Sequence, residues 1–90
     1  MEDSTQKKYT LTLKKKAEKF LEKLSEPEYS NVKSAVLSLA ENPRPFGYKK
    51  LKGVEAYRIR SGNYRIIYEI EDDLLIIEVI NIGHRKNVYE

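Results

Sequence analysis

Apolar positions alternate at the start of the chain. Tyr9, Leu11 and Leu13 are separated by Thr10 and Thr12, the period of two that belongs to a half-buried strand. From Lys14 the period changes, and Ala17, Phe20, Leu21 and Leu24 recur at spacings of three and four, so an amphipathic helix follows directly. Pro27 belongs either to the turn after that helix or to the first turn of the next, where its missing N–H costs nothing. A second helix is predicted from about Glu28 to Glu41, with Val32, Ala35, Val36, Leu39 and Ala40 on one stripe. Two helices joined this closely predict an antiparallel hairpin.

The run Asn42-Pro43-Arg44-Pro45-Phe46-Gly47 stops the second helix, because proline cannot continue the hydrogen-bond ladder and restricts the residue before it. Phe46 and Tyr48 are expected to pack this loop onto the domain. Lys49 to Gly53 reads as a basic turn. Ala56 to Arg60, Tyr64 to Glu71 and Leu74 to Ile82 then read as three strands, punctuated by Ser61-Gly62-Asn63 and by Asp72-Asp73. The expected fold is one α+β domain over residues 1–90. An N-terminal strand and a two-helix antiparallel hairpin precede a three-stranded antiparallel meander, which completes a four-stranded sheet with the helices on one face.

Ninety residues can bury one modest core. The absence of cysteine removes disulfide staples and thiolate metal sites. No apolar run approaches the length of a membrane span, and Met1 to Lys8 lacks the apolar core of a signal peptide. These features point to a soluble cytoplasmic protein. The net charge of +3 hides an uneven distribution. Pro43 to Arg65 holds seven basic residues against the single Glu55, whereas Ile66 to Glu78 holds five acids and no base. A patch for a polyanion is the natural outcome of such a layout.

Alternation along Ala56 to Arg60 sends Tyr57 and Ile59 to one face and Arg58 with Arg60 to the other. A two-residue turn, either Ser61-Gly62 or Gly62-Asn63, brings Arg65 opposite one of them on the same face. A three-residue loop would flip it away. Like charges facing each other weaken a sheet. Three arginines gathered on one face therefore suggest an anionic ligand, and guanidinium groups match phosphate oxygens in a two-pronged geometry. The competing explanation is neutralisation by Glu69 or Glu78.

Lys50-Leu51-Lys52-Gly53, Tyr57-Arg58-Ile59-Arg60, Gly62-Asn63-Tyr64-Arg65-Ile66-Ile67-Tyr68 and Gly83-His84-Arg85-Lys86-Asn87-Val88-Tyr89 together resemble the RelE branch of the RelE/ParE toxin superfamily. Each motif is weak alone; their order and spacing carry the likeness. The resemblance implies a ribosome-dependent endoribonuclease that cuts messenger RNA in the ribosomal A site and is neutralised by a cognate antitoxin. It further implies chemistry without metal or other cofactor, in which the ribose 2′-hydroxyl attacks the adjacent phosphate and leaves a 2′,3′-cyclic phosphate and a 5′-hydroxyl.

Position by position, the resemblance makes Arg58, Arg60, Arg65, Arg85 and Tyr89 the catalytic set. Arg65 matches a contact to the scissile phosphate, Arg85 a support for the leaving 5′-oxygen, and Tyr89 a residue that stacks on a base. Arg58 and Arg60 stand where the best-known member has lysine. Arginine cannot readily give up its proton, so a phosphate clamp suits Arg58 better than a general base. His84 is a possible proton-transfer group or a turn and support residue. Lys49, Lys50 and Lys52 are assigned to ribosomal RNA backbone contacts. Two other functions share the fold: a ParE-like inhibitor of DNA gyrase, and a non-catalytic antitoxin-binding module.

Overall fold

The computed structural model describes residues 8–84. The elements are β1 (Thr10–Leu13), α1 (Lys15–Glu22), α2 (Glu28–Ser38), β2 (Lys49–Lys50), β3 (Tyr57–Ser61), β4 (Tyr64–Glu71) and β5 (Ile76–His84). The sheet has five strands in the order β1-β5-β4-β3-β2. β1 runs parallel to β5, and every other pair is antiparallel. The α+β class and the meander of β3, β4 and β5 agree with the sequence reading. The four-stranded sheet does not, because the expected basic turn contains β2.

Two residues cannot display an alternation, so β2 has no sequence signature. It forms because Leu51 N–H donates to the Ala56 carbonyl at 2.8 Å. That bond closes the intervening turn and lays Lys49 and Lys50 opposite Arg58 and Tyr57. Two boundaries also differ from expectation. α2 ends at Ser38, and the chain to Glu41 tightens into successive i to i+3 hydrogen bonds. β5 begins at Ile76, because Asp72 to Leu75 make a turn in which Leu75 takes φ 55° and its N–H donates to the Asp72 carbonyl. Leu74 looked like strand by hydropathy but is an exposed turn residue.

One face of the sheet carries the core. Ile59, Ile66, Tyr68, Ile77, Val79 and Ile82 pack against Ala17 and Leu21 of α1 and Val32, Val36 and Leu39 from the second helical stretch. Val79 and Ile82 are an odd number of residues apart yet share this face. The strand pairing explains it: Ile67 faces Asn81 while Tyr68 faces Val79, leaving Ile80 as a β-bulge. The five lysines at 14, 15, 16, 19 and 23 are all exposed around α1. Among the described residues, no helix is long and apolar enough to cross a membrane.

The other sheet face is open and zoned. Arg60 and Arg65 lie near the β3–β4 turn, a small cluster of Leu51, Ala56 and Ile67 fills the middle, and Glu69 pairs with Glu78 further along. The turn itself is the two-residue loop Gly62-Asn63, with Gly62 at φ 58°. A positive φ at the first central position alone is the mark of a type II′ turn. A Cβ at Gly62 would meet no atom within 4 Å, so the cost of a side chain there is purely one of backbone conformation. Gly62→Ala is expected to lower stability by roughly 1–2 kcal/mol in chemical denaturation. The register it protects is the one that places Arg65.

Candidate phosphate-binding face

Ser61 faces Tyr64 across the turn, which puts Arg60 directly opposite Arg65 and Arg58 opposite Ile67. Strand alternation then sends all three guanidinium groups to the open face. The two-residue loop was one of the registers considered from the sequence, and the structure selects the Gly62-Asn63 form. Arg60 is exposed and Arg65 half-buried. Arg58 is only 3% exposed. The Nε atoms of both Arg58 and Arg65 are buried, so these two side chains are partly enclosed, while Arg60 stands in solvent.

Glu69 and Glu78 belong to a different zone. Glu69 is four residues beyond Arg65 on β4, roughly 13 Å along the strand, and Glu78 lies 3.9 Å from Lys14. The facing pair of arginines is therefore matched by a facing pair of acids at the other end of the open face, not interleaved with it. Lys49, paired with Arg58, extends the basic zone onto β2. Lys50 turns to its own loop, donating to the Val54 carbonyl at 2.9 Å with Glu55 3.7 Å away. Lys52 is exposed in the following turn.

His84 pairs with Tyr64, and its ring meets the Tyr64 ring edge-on at 5.6 Å. Tyr64 packs against the core cluster, so His84 points to the face opposite the arginines. Arg85 and Tyr89 lie outside the described residues. Among the described residues, no group of three histidines or acids is placed to hold a metal ion.

No local pattern announces what organises the neighbouring loop. The Tyr68 hydroxyl, buried in the core, donates to the Pro43 carbonyl at 2.6 Å. Arg44 grips Asp72 with both terminal nitrogens, at 2.9 and 3.4 Å, and its guanidinium lies 5.8 Å from the Tyr57 ring centre. Tyr9 donates to the same carboxylate at 2.7 Å, a bond that raises the pKa of its phenol. These anchors join the loop to the β4–β5 turn and to the residue before β1. Tyr48 rests near Tyr57, with ring centres 5.9 Å apart. Phe46 was expected to pack inward; it is instead fully exposed. A cavity of about 470 Å³ opens beside it, between α2, this loop and Arg58 to Arg60 of β3.

Known proteins share this arrangement. The family model described as ParE toxin of type II toxin-antitoxin system, parDE, matches residues 11–89. The mRNA interferase toxin RelE of Escherichia coli is 31% identical, with 87% of this chain and 84% of that protein covered. A toxin named RelE1 from Methanocaldococcus jannaschii is 32% identical over 92% of this chain and 97% of its own length. Among solved structures, the intact E. coli RelBE toxin–antitoxin complex superposes with a TM-score of 0.72 at 30% identity, covering 84% of this chain and 95% of that one. The archaeal RelE–RelB complex from Pyrococcus horikoshii gives 0.78 at 26% identity, covering 90% and 99%. The match of fold, length and sequence places this chain in the RelE/ParE family, as a RelE-type toxin of a type II toxin–antitoxin system.

Proposed function

We propose that this toxin is a ribosome-dependent endoribonuclease that cleaves messenger RNA by metal-independent attack of a ribose 2′-hydroxyl. The observation that carries the reading is the Arg60–Arg65 pair, placed face to face on the side of the sheet away from the helices. Guanidinium groups at that spacing suit the oxygens of one phosphodiester, and they strengthen as the phosphorane gathers negative charge. In the step itself the 2′-oxygen bonds to phosphorus, the bond from phosphorus to the 5′-oxygen breaks, and the 2′-hydroxyl gives its proton to water while the departing 5′-oxygen takes one from water. RNA brings this nucleophile with it. Arg65 and Arg60 bind the scissile phosphate, and Arg58, on the same sheet face, adds its charge as a phosphate clamp. Arg85 stabilises the leaving oxygen, and Tyr89 stacks on a base and orients the attack. Lys49 and Lys52 contact RNA backbone. His84, on the other face, acts as a support for the end of β5.

The relatives solved with RelB bind an antitoxin. By the same likeness this toxin is neutralised by a cognate antitoxin and acts on the ribosome with message in the A site. The ribosome is needed because phosphate contacts alone do not hold the 2′-hydroxyl in line for attack. The test is a cell-free translation reaction with wild-type toxin or Arg85→Ala, followed by primer extension of the message. Discrete cuts at the A site that vanish in the variant are expected. Uncut message together with blocked supercoiling by purified DNA gyrase would replace this reading with the ParE-like one.

A further inference from the structure

Phe46 is the side chain the fold leaves most conspicuously in water. A single exposed phenylalanine is common enough on protein surfaces. This one is held up by its backbone. Tyr48 N–H donates to the Pro45 carbonyl at 3.0 Å, and Gly47 takes φ 90°, which makes Pro45 to Tyr48 a type II turn with Phe46 at its first corner. Pro43 and Pro45 restrict the chain just before it. The bonds from Tyr68 to Pro43 and from Arg44 to Asp72 fasten the base of the loop. The ring is thus presented outward on a braced support.

Beside the ring lies the cavity of about 470 Å³, within the usual size range of small-ligand sites. Its lining takes in Phe46, Lys49 and the stretch Arg58 to Arg60, of which Arg60 is exposed and Arg58 buried, and includes no acid, while Ala35 and Ser38 on α2 leave room at its back. An aromatic face beside clustered cations is the pairing that unpaired nucleic acid selects, base on ring and phosphate on charge. Arg60 belongs both to this cavity and to the facing pair with Arg65, so the two places share a residue.

We propose that Phe46 and this cavity form a nucleotide subsite, in which an unpaired RNA base stacks on Phe46 while its phosphate lies against Arg60 and Lys49. The inference rests on the reading of this toxin as an RNA-directed enzyme and names where it takes hold of a nucleotide beside the one that is cut. Both messenger and ribosomal RNA carry unpaired nucleotides of this chemistry.

The test uses a short single-stranded oligoribonucleotide carrying 2-aminopurine, whose fluorescence falls when it stacks. Wild-type toxin quenches the probe at low salt; Phe46→Ala loses the quench and binds about 5- to 100-fold more weakly. Phe46→Trp retains it, and Phe46→Leu, apolar but without a π face, does not. Equal quenching by wild type and Phe46→Ala, or no quenching by wild type, overturns the subsite. So does a Phe46→Ala toxin that binds the probe normally but escapes its antitoxin, which would make the ring a protein-docking residue. Co-sedimentation with ribosomes separates the RNA sources: a loss on empty ribosomes assigns the base to ribosomal RNA, and a loss only on programmed ribosomes assigns it to the message. Normal cleavage by Phe46→Ala discards the subsite and keeps the nuclease. Phe46-dependent quenching without any cleavage keeps the subsite and discards the nuclease.

Discussion

Arg65→Ala is expected to slow single-turnover cleavage of message on programmed ribosomes by about 10²- to 10³-fold, the range found when one preorganised donor to a developing oxyanion is removed. Arg65 earns this expectation through placement: its Nε is buried and its strand lies between β3 and β5, so the guanidinium is held before substrate arrives. Arg60 is exposed at the facing position, and Arg60→Ala is expected to act more on binding than on the chemical step. Arg65→Lys restores charge but not the two-pronged geometry and recovers only part of the rate. The folded state should barely suffer, since removing one of two facing cations relieves repulsion. Full activity in Arg65→Ala, with an unchanged denaturation midpoint, would sink the phosphate assignment.

Stability and the proposed phosphate binding pull in opposite directions along this face. Arg60 opposite Arg65 and Glu69 opposite Glu78 are both unfavourable cross-strand pairs, and shifting either set into register with the other would relieve them. The sheet instead keeps the signs apart, which leaves one end of its open surface basic. That separation was already visible in the chain as a basic segment followed by an acidic one. Charge order along two consecutive strands of a hairpin becomes charge order across the face, because the hairpin folds the sequence back on itself.

The meander, the two helices and the shared face of Arg58, Arg60 and Arg65 were legible for that reason: they follow from local periods of two and 3.6 and from a short turn. What was not legible depends on partners distant in sequence. β2 exists through a bond between Leu51 and Ala56 and a two-residue pairing with β3. The depth of Arg58 could not be read from alternation, which gives its face but not how much covers it. His84 follows a bulge at Ile80 that no residue type announces, and the bulge decides which face the end of β5 presents. Phe46 looked apolar and therefore internal; the type II turn outweighed its hydropathy.

Tyr68→Ala is expected to lower the unfolding free energy by about 3–5 kcal/mol, a large share of the roughly 5–13 kcal/mol typical of a chain this size. The ring is fully buried in the core, and its hydroxyl is the donor to the Pro43 carbonyl. Tyr68→Phe keeps the packing and loses only that bond. It leaves an acceptor without its donor and costs about 1–3 kcal/mol. Urea denaturation at neutral pH separates the two. Burial pushes the Tyr68 phenol well above the ordinary tyrosine pKa, so the folded chain holds this proton more tightly than the unfolded one. Its contribution is fully present below the unfolded value of about 10 and is lost as pH rises from there toward the folded value. Alkaline destabilisation should therefore begin near pH ~10 in wild type and be shallower in Tyr68→Phe. An equally steep alkaline limb in Tyr68→Phe would mean that another group, such as Tyr9 on Asp72, sets it. Because the same hydroxyl fastens the loop that carries Phe46, Tyr68→Phe should also weaken 2-aminopurine quenching while leaving Arg60 and Arg65 in register. Core packing and the proposed nucleotide subsite meet at this one hydrogen bond.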